Sequence, residues 1–183
     1  MKTLIVCYSF GGKTKKAASY LADQIKADFV QLQTTRNNFR LFSLITGIAC
    51  TCFHRSQEIL PLEEDISSYE RIIIAGPVWA GRPAPAVQAF IHQYALAGKV
   101  TCGLLTCAKA DRSPLSFLRG ELQDAQSHCA NIIAIHMDPA MLRSLHHKEI
   151  QFISSNDGKL RLQAEKKGTD TDLLRELCLE ENW

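Results

Sequence analysis

The sequence has no apolar run long enough to cross a bilayer, which takes about 20 residues. Its longest, Leu41–Phe53, has thirteen residues and is interrupted by Ser43, Thr46, Gly47 and Thr51. That length suits a helical flap or a membrane-surface contact, not a span. Leu4–Tyr8 is too short for the core of a secretory leader and has no small-residue cleavage site behind it, so the expected location is the cytoplasm. Charge of one sign is also missing. Lys and Arg number 21 against 19 Asp and Glu, a net charge of +2, which provides no field for holding nucleic acid. Cysteine is present seven times, but only Cys50 and Cys52 are closely spaced, and no second pair stands at zinc-site spacing. Cys7, Cys102, Cys107 and Cys129 lie in apolar strand-like runs and are expected to behave as small buried hydrophobes. His146-His147 has no carboxylate at ligand spacing, so no metal site is expected.

What is present fits one globular unit. The chain has 183 residues, of which 46% are hydrophobic, enough for a sizeable core. Leu4–Tyr8 is a short unbroken apolar run, and Ile72–Gly76, Lys99–Cys107 and Ile132–His136 are further largely apolar runs, the mark of strands buried on both faces. Phe29–Leu32 alternates and predicts a less buried strand, and Pro77 is expected to end the Ile72–Gly76 strand. Ala17, Ala18, Leu21, Ala22 and Ile25 share one helical face, as do Val87, Phe90, Ile91 and Tyr94. Leu115–Ala125 is a further predicted helix, with His128 read as an extension of it. Alternating strands and helices imply a parallel α/β sheet with helices on both faces. The expected organisation is a single domain over 1–183 with an inserted segment at about 34–62. Ser155-Asn156-Asp157-Gly158 marks a hairpin over about 150–162, and a last helix is expected after Asp170.

In open α/β sheets, ligands bind beyond the carboxyl ends of the strands. After the first strand comes Ser9-Phe10-Gly11-Gly12-Lys13-Thr14. The glycines let backbone N–H groups turn toward one centre, the following helix points its positive end there, and Ser9, Thr14 and Lys13 add donors. These features make an anion site, most naturally for a phosphate; the alternative is a plain turn with a threonine cap. Gly12-Lys13-Thr14 also matches the end of a nucleotide-binding P-loop, but that motif needs a glycine where Cys7 stands. A small monophosphate fits better than a triphosphate.

Here the sequence resembles the flavodoxin family. Ser9–Thr14 is similar to its FMN-phosphate loop, commonly S/T-x-T-G-x-T, with Gly11 in place of the central threonine. Pro77-Val78-Trp79-Ala80-Gly81-Arg82-Pro83-Ala84-Pro85 is similar to the second flavin loop. The third should follow the fourth strand, at Thr106-Cys107-Ala108-Lys109, where the match is weak. The resemblance covers about residues 2–136 and the final helix. It implies a flavodoxin-like three-layer sandwich with a five-stranded parallel sheet of order 2-1-3-4-5. It also implies FMN as cofactor, held by Ser9, Gly11, Gly12, Lys13, Thr14, Pro77, Val78, Trp79, Ala80, Gly81, Arg82, Thr106, Cys107 and Ala108. The Ala80–Gly81 or Gly81–Arg82 peptide is implied to face the flavin N5.

The residues themselves carry part of that reading. Trp79 follows a buried strand, where an indole is exposed unless a flat ring or the Leu41–Phe53 segment covers it. Arg82 could stabilise negative charge on a reduced flavin, hold a phosphate of NADPH, or lie solvated on the rim. Two functions share such a site: an electron carrier docking on redox partner proteins, and an oxidoreductase passing electrons from NAD(P)H to a quinone or similar small acceptor. Carriers of this family are strongly acidic, and a chain at +2 departs from that. The 34–62 segment and the hairpin are candidates for a lid or a homodimer contact. A third possibility is an interaction module of the same fold that has lost flavin binding.

Overall fold

Short β-branched and leucine-rich runs build the centre of the molecule. The computed structural model describes residues 1–35, 58–107, 113–136, 151–156 and 159–162. In chain order the elements are β1 (Thr3–Cys7), α1 (Lys13–Ile25), β2 (Asp28–Gln31), a 3-10 turn (Ile66–Ser68), β3 (Arg71–Trp79) and β4 (Arg82–Pro83). They continue with α2 (Pro85–Gln93), β5 (Val100–Cys107), α3 (Ser113–Asp124), β6 (His128–His136), β7 (Gln151–Asn156) and β8 (Lys159–Leu162). The Leu41–Phe53 segment, Ala108, His146-His147 and the expected helix after Asp170 lie outside the described residues.

Strands β2-β1-β3-β5-β6 lie side by side and all pair in parallel, which is the expected 2-1-3-4-5 order when the five parallel strands are counted along the chain. Period-two alternation splits their side chains between two cores. Leu4 and Val6 of β1, with Ile72 and Ile74 of β3, pack with Val87 and Phe90 of α2 and Leu118 and Leu122 of α3. Ile5, Cys7, Ile73 and Ala75 face the other way, onto Ala18, Leu21 and Ala22 of α1. The result is three layers, with the sheet between α1 and the α2–α3 pair. Each fully buried Leu or Ile contributes about 1.5–3 kcal/mol, so the two cores carry much of the stability. Among the described residues, no helix is long and apolar enough to cross a membrane.

Three local expectations are corrected. Pro77 does not end its strand: β3 runs on to Trp79, with Pro77 in register with Thr106. Proline lacks only the N–H, and its carbonyl still accepts from the Ala84 N–H at 2.9 Å. His128 is not helical. α3 stops at Asp124, Gln126 turns the chain at φ 55°, and His128 opens β6 beside Val100. Finally, the sheet is wider than five strands, because β7 pairs antiparallel with β6 and β8 with β7.

Burial has a chemical consequence at Cys7. The thiol is fully buried in the α1-side core, and loss of water pushes its pKa up to about 12, with Lys15 only partly opposing. The thiolate is the reactive form, so native Cys7 is expected to escape an iodoacetamide pulse at pH 8 and to label fully after denaturation. Peptide mapping reads the result, and rapid native labelling of Cys7 would contradict it.

Candidate functional site

The carboxyl ends of β1, β3 and β5 meet at one cleft, the position expected for a ligand in an open α/β sheet. From the β1–α1 turn it is lined by Ser9, Phe10, Gly11, Lys13 and Thr14. Pro77, Val78 and Trp79 of β3 and Thr106 and Cys107 of β5 complete the lining. Its cavity volume is about 230 Å³, and it is partly open to solvent.

One side of the cleft is built for an anion. Gly12 caps α1 at φ 82°, and no side chain occupies the capping position, so the N–H groups of the first turn have no side-chain acceptor. The turn contains Lys13, Lys15 and Lys16 and no acidic residue. Cations there oppose the helix dipole, an arrangement that a bound anion relieves. The Ser9 hydroxyl is buried with no hydrogen-bond partner among the described residues. A buried, unsatisfied hydroxyl costs about 1–3 kcal/mol unless something in the cleft accepts from it. Among the described lining residues there is no carboxylate. The donor-rich, acceptor-poor wall therefore suits an oxyanion.

The two glycines of this turn behave differently. A Cβ on Gly12 meets nothing within 4 Å, but φ there is +82°, a region that side chains rarely adopt. Gly11 has the same open space and no positive φ. Gly12→Ala is expected to cost about 1 kcal/mol, lowering Tm by about 2–4 °C for a chain of this length, and Gly11→Ala to leave Tm unchanged. Thermal melts of the two variants check the difference.

The other side of the cleft is aromatic. Trp79 meets Tyr8 edge-on, with ring centroids 5.8 Å apart, and Phe10 at 6.0 Å, at interplanar angles of 79° and 82°. These two T-shaped contacts fix the indole from the strand and from the anion loop together. Burial pushes the Tyr8 phenol pKa upward, keeping it neutral near pH 7. After Trp79 the chain reverses through Ala80 and Gly81 at φ 47° and 76°, the positive values that a two-residue hairpin turn requires.

Of the residues expected at the site, Ser9, Gly11, Lys13, Thr14, Pro77, Val78, Trp79, Thr106 and Cys107 are brought together in the cleft. Gly12, Ala80 and Gly81 shape the turns behind it without lining it. Arg82 is not among the residues that line the cleft. Its guanidinium lies 4.6 Å from the centroid of the Phe117 ring on α3, a cation–π contact. Phe10 was missed by sequence reasoning. Its signal was the same as that of Trp79: a large aromatic just past a buried strand, needing cover.

The comparisons agree with the topology. No protein-family model and no curated protein matches the chain. Solved structures do match. A flavoprotein from Lactobacillus acidophilus NCFM, crystallised in complex with FMN, superposes with a TM-score of 0.59 at 22% identity, covering 80% of this chain and 99% of that one. The apo-form of a flavoprotein from the same organism, solved by NMR, gives 0.60 at 21%, covering 78% and 95%. A protein from Bacteroides eggerthii DSM 20697, described as a flavoprotein, gives 0.62 at 18%, covering 79% and 94%. The fold is flavodoxin-like. In a flavodoxin-like sheet the cleft lies at the switch in strand order, between β1 and β3, where Ser9 and Trp79 face it.

Proposed function

We propose that the chain is an FMN-binding flavodoxin-like redox protein. The observation that carries this is the Ser9 hydroxyl, buried with no partner among the described residues, in the cleft that the uncapped first turn of α1 and a fixed indole also line. An anion at one end and a flat apolar ring at the other describe a flavin mononucleotide. FMN solved in the Lactobacillus acidophilus flavoprotein supports the reading by analogy of fold.

In this proposal the Ser9 hydroxyl, the first-turn N–H groups of α1, Lys13 and Thr14 hold the phosphate. Trp79 covers the isoalloxazine ring, and Tyr8 and Phe10 keep the indole upright and exclude water from that face. The Ala80–Gly81 turn, which opens beside Trp79, borders the ring edge. Bound FMN supplies the electron transfer, in one- or two-electron steps, while these residues set its orientation and access. The electron donor is NAD(P)H or a redox partner protein, the acceptor a quinone, another small molecule or a second partner, and the setting the cytoplasm. Assembly as a homodimer belongs to the same proposal.

Carrier and enzyme are separated by kinetics on the FMN-loaded protein. Oxidation of NADPH or NADH with a quinone present, at many turnovers per site, supports the oxidoreductase. No turnover with either nucleotide, but rapid transfer from the chemically reduced protein to a protein acceptor, supports the carrier. A chain that takes up no FMN contradicts both and leaves an interaction module of flavodoxin-like fold.

A further inference from the structure

Thr14 and Thr106 stand 92 residues apart in the chain, yet their hydroxyl oxygens are 2.7 Å apart. Both side chains are almost wholly buried, at 2% and 6% exposure, and both line the cleft. Two hydroxyls bring two protons, and the bond between them uses one. Neither hydroxyl has another hydrogen-bond partner among the described residues. One proton of the pair is therefore left over, in a cleft that is also lined by Ser9, whose hydroxyl has no partner among the described residues.

The positions of the two residues decide where that proton goes. Thr14 lies in the first turn of α1, next to the free N–H groups and Lys13. Thr106 is set back in β5, in register with Pro77 on one side and Ile135 on the other. We propose that Thr106 is a positioning residue for the anion. Its hydroxyl donates to Thr14 Oγ1, so that Thr14 keeps its own proton for the bound phosphate. The inference rests on the flavin mononucleotide reading, and it assigns Thr106 to the phosphate end of the site. Thr106 acts through Thr14 and touches no ligand atom itself. Accepting from Thr106 also polarises the Thr14 hydroxyl as a donor and fixes its rotamer.

The test compares FMN with riboflavin, which lacks the phosphate, by equilibrium titration of the apoprotein and its variants. Thr106→Val keeps the shape and removes the hydroxyl. It is expected to weaken FMN about threefold to tenfold and to leave riboflavin unchanged. Thr106→Ser is expected to restore the wild-type ratio. Thr14→Val is expected to lose more, and the Thr14→Val/Thr106→Val pair no more than Thr14→Val alone, because one residue works through the other. An unchanged FMN-to-riboflavin ratio in Thr106→Val would show a purely structural bond and overturn the proposal. Losses that multiply in the double variant would overturn it too, since Thr106 would then touch the ligand. A wild-type chain that ignores FMN overturns the flavin reading instead. The same pattern is then sought in the rise of Tm on adding inorganic phosphate, and its absence there overturns the role of Thr106.

Discussion

Trp79→Ala is expected to weaken both FMN and riboflavin by about a hundredfold or more. One face of a large aromatic side chain covers about half of the 150–250 Å² that such residues bury, and at about 25 cal/mol per Å² that is about 2–3 kcal/mol. Ring pairing adds about 0.5–1.5 kcal/mol. The equal loss for the two flavins distinguishes this wall from the anion end, where Ser9→Ala should weaken FMN alone. Trp79 also packs partly against the α2–α3 core, so Trp79→Ala is expected to lower Tm as well. Trp79→Phe keeps a stacking face and should retain most of the affinity, which separates lost stacking from a damaged fold. Unchanged flavin affinity in Trp79→Ala would place the ring elsewhere.

Gly76→Ala is expected to be the most destabilising single-carbon change near the site. A Cβ built there would stand 2.3 Å from Val87 Cγ2, and Val87 is fully buried on α2. Valine is short and stiff, so the helix must move off the sheet rather than a side-chain end swing aside. Overpacking of this kind costs about 1–3 kcal/mol, or about 2–12 °C in Tm for a chain of this length. Val87→Ala in the same background should recover part of the loss, a coupling that a thermal melt of the pair reads directly. An unchanged Tm for Gly76→Ala would mean that β3 and α2 are not in close contact.

Most of the framework was legible in the residues. Ile72–Ile74, Leu104–Leu105 and Ile132–Ile135 are apolar without alternation, as a sheet covered on both faces requires, and the alternation of such strands with helices implies that they run parallel. The anion loop was legible because adjacent glycines followed by a helix leave few other uses for the sequence. What was not legible depends on contacts far apart in the chain. Nothing local to Thr106 tells that its hydroxyl meets Thr14, and nothing local to Arg82 tells that Phe117 supplies a ring for it. Pro77 misled for a different reason. The rule that proline ends a strand concerns the missing N–H, and here β3 continues past it through its carbonyl and its neighbours on β4 and β5. The widening of the sheet by β7 and β8 was likewise hidden, because a hairpin's own pattern does not say which edge it joins.

Titration of the apoprotein with FMN, followed by flavin fluorescence and by the visible spectrum, tests the central claim most directly. Saturable binding of one FMN per chain is expected, with flavin fluorescence quenched by the Trp79 wall, and with riboflavin bound more weakly for want of the phosphate. A flavin spectrum and fluorescence that stay those of the free cofactor at saturating protein would contradict the account.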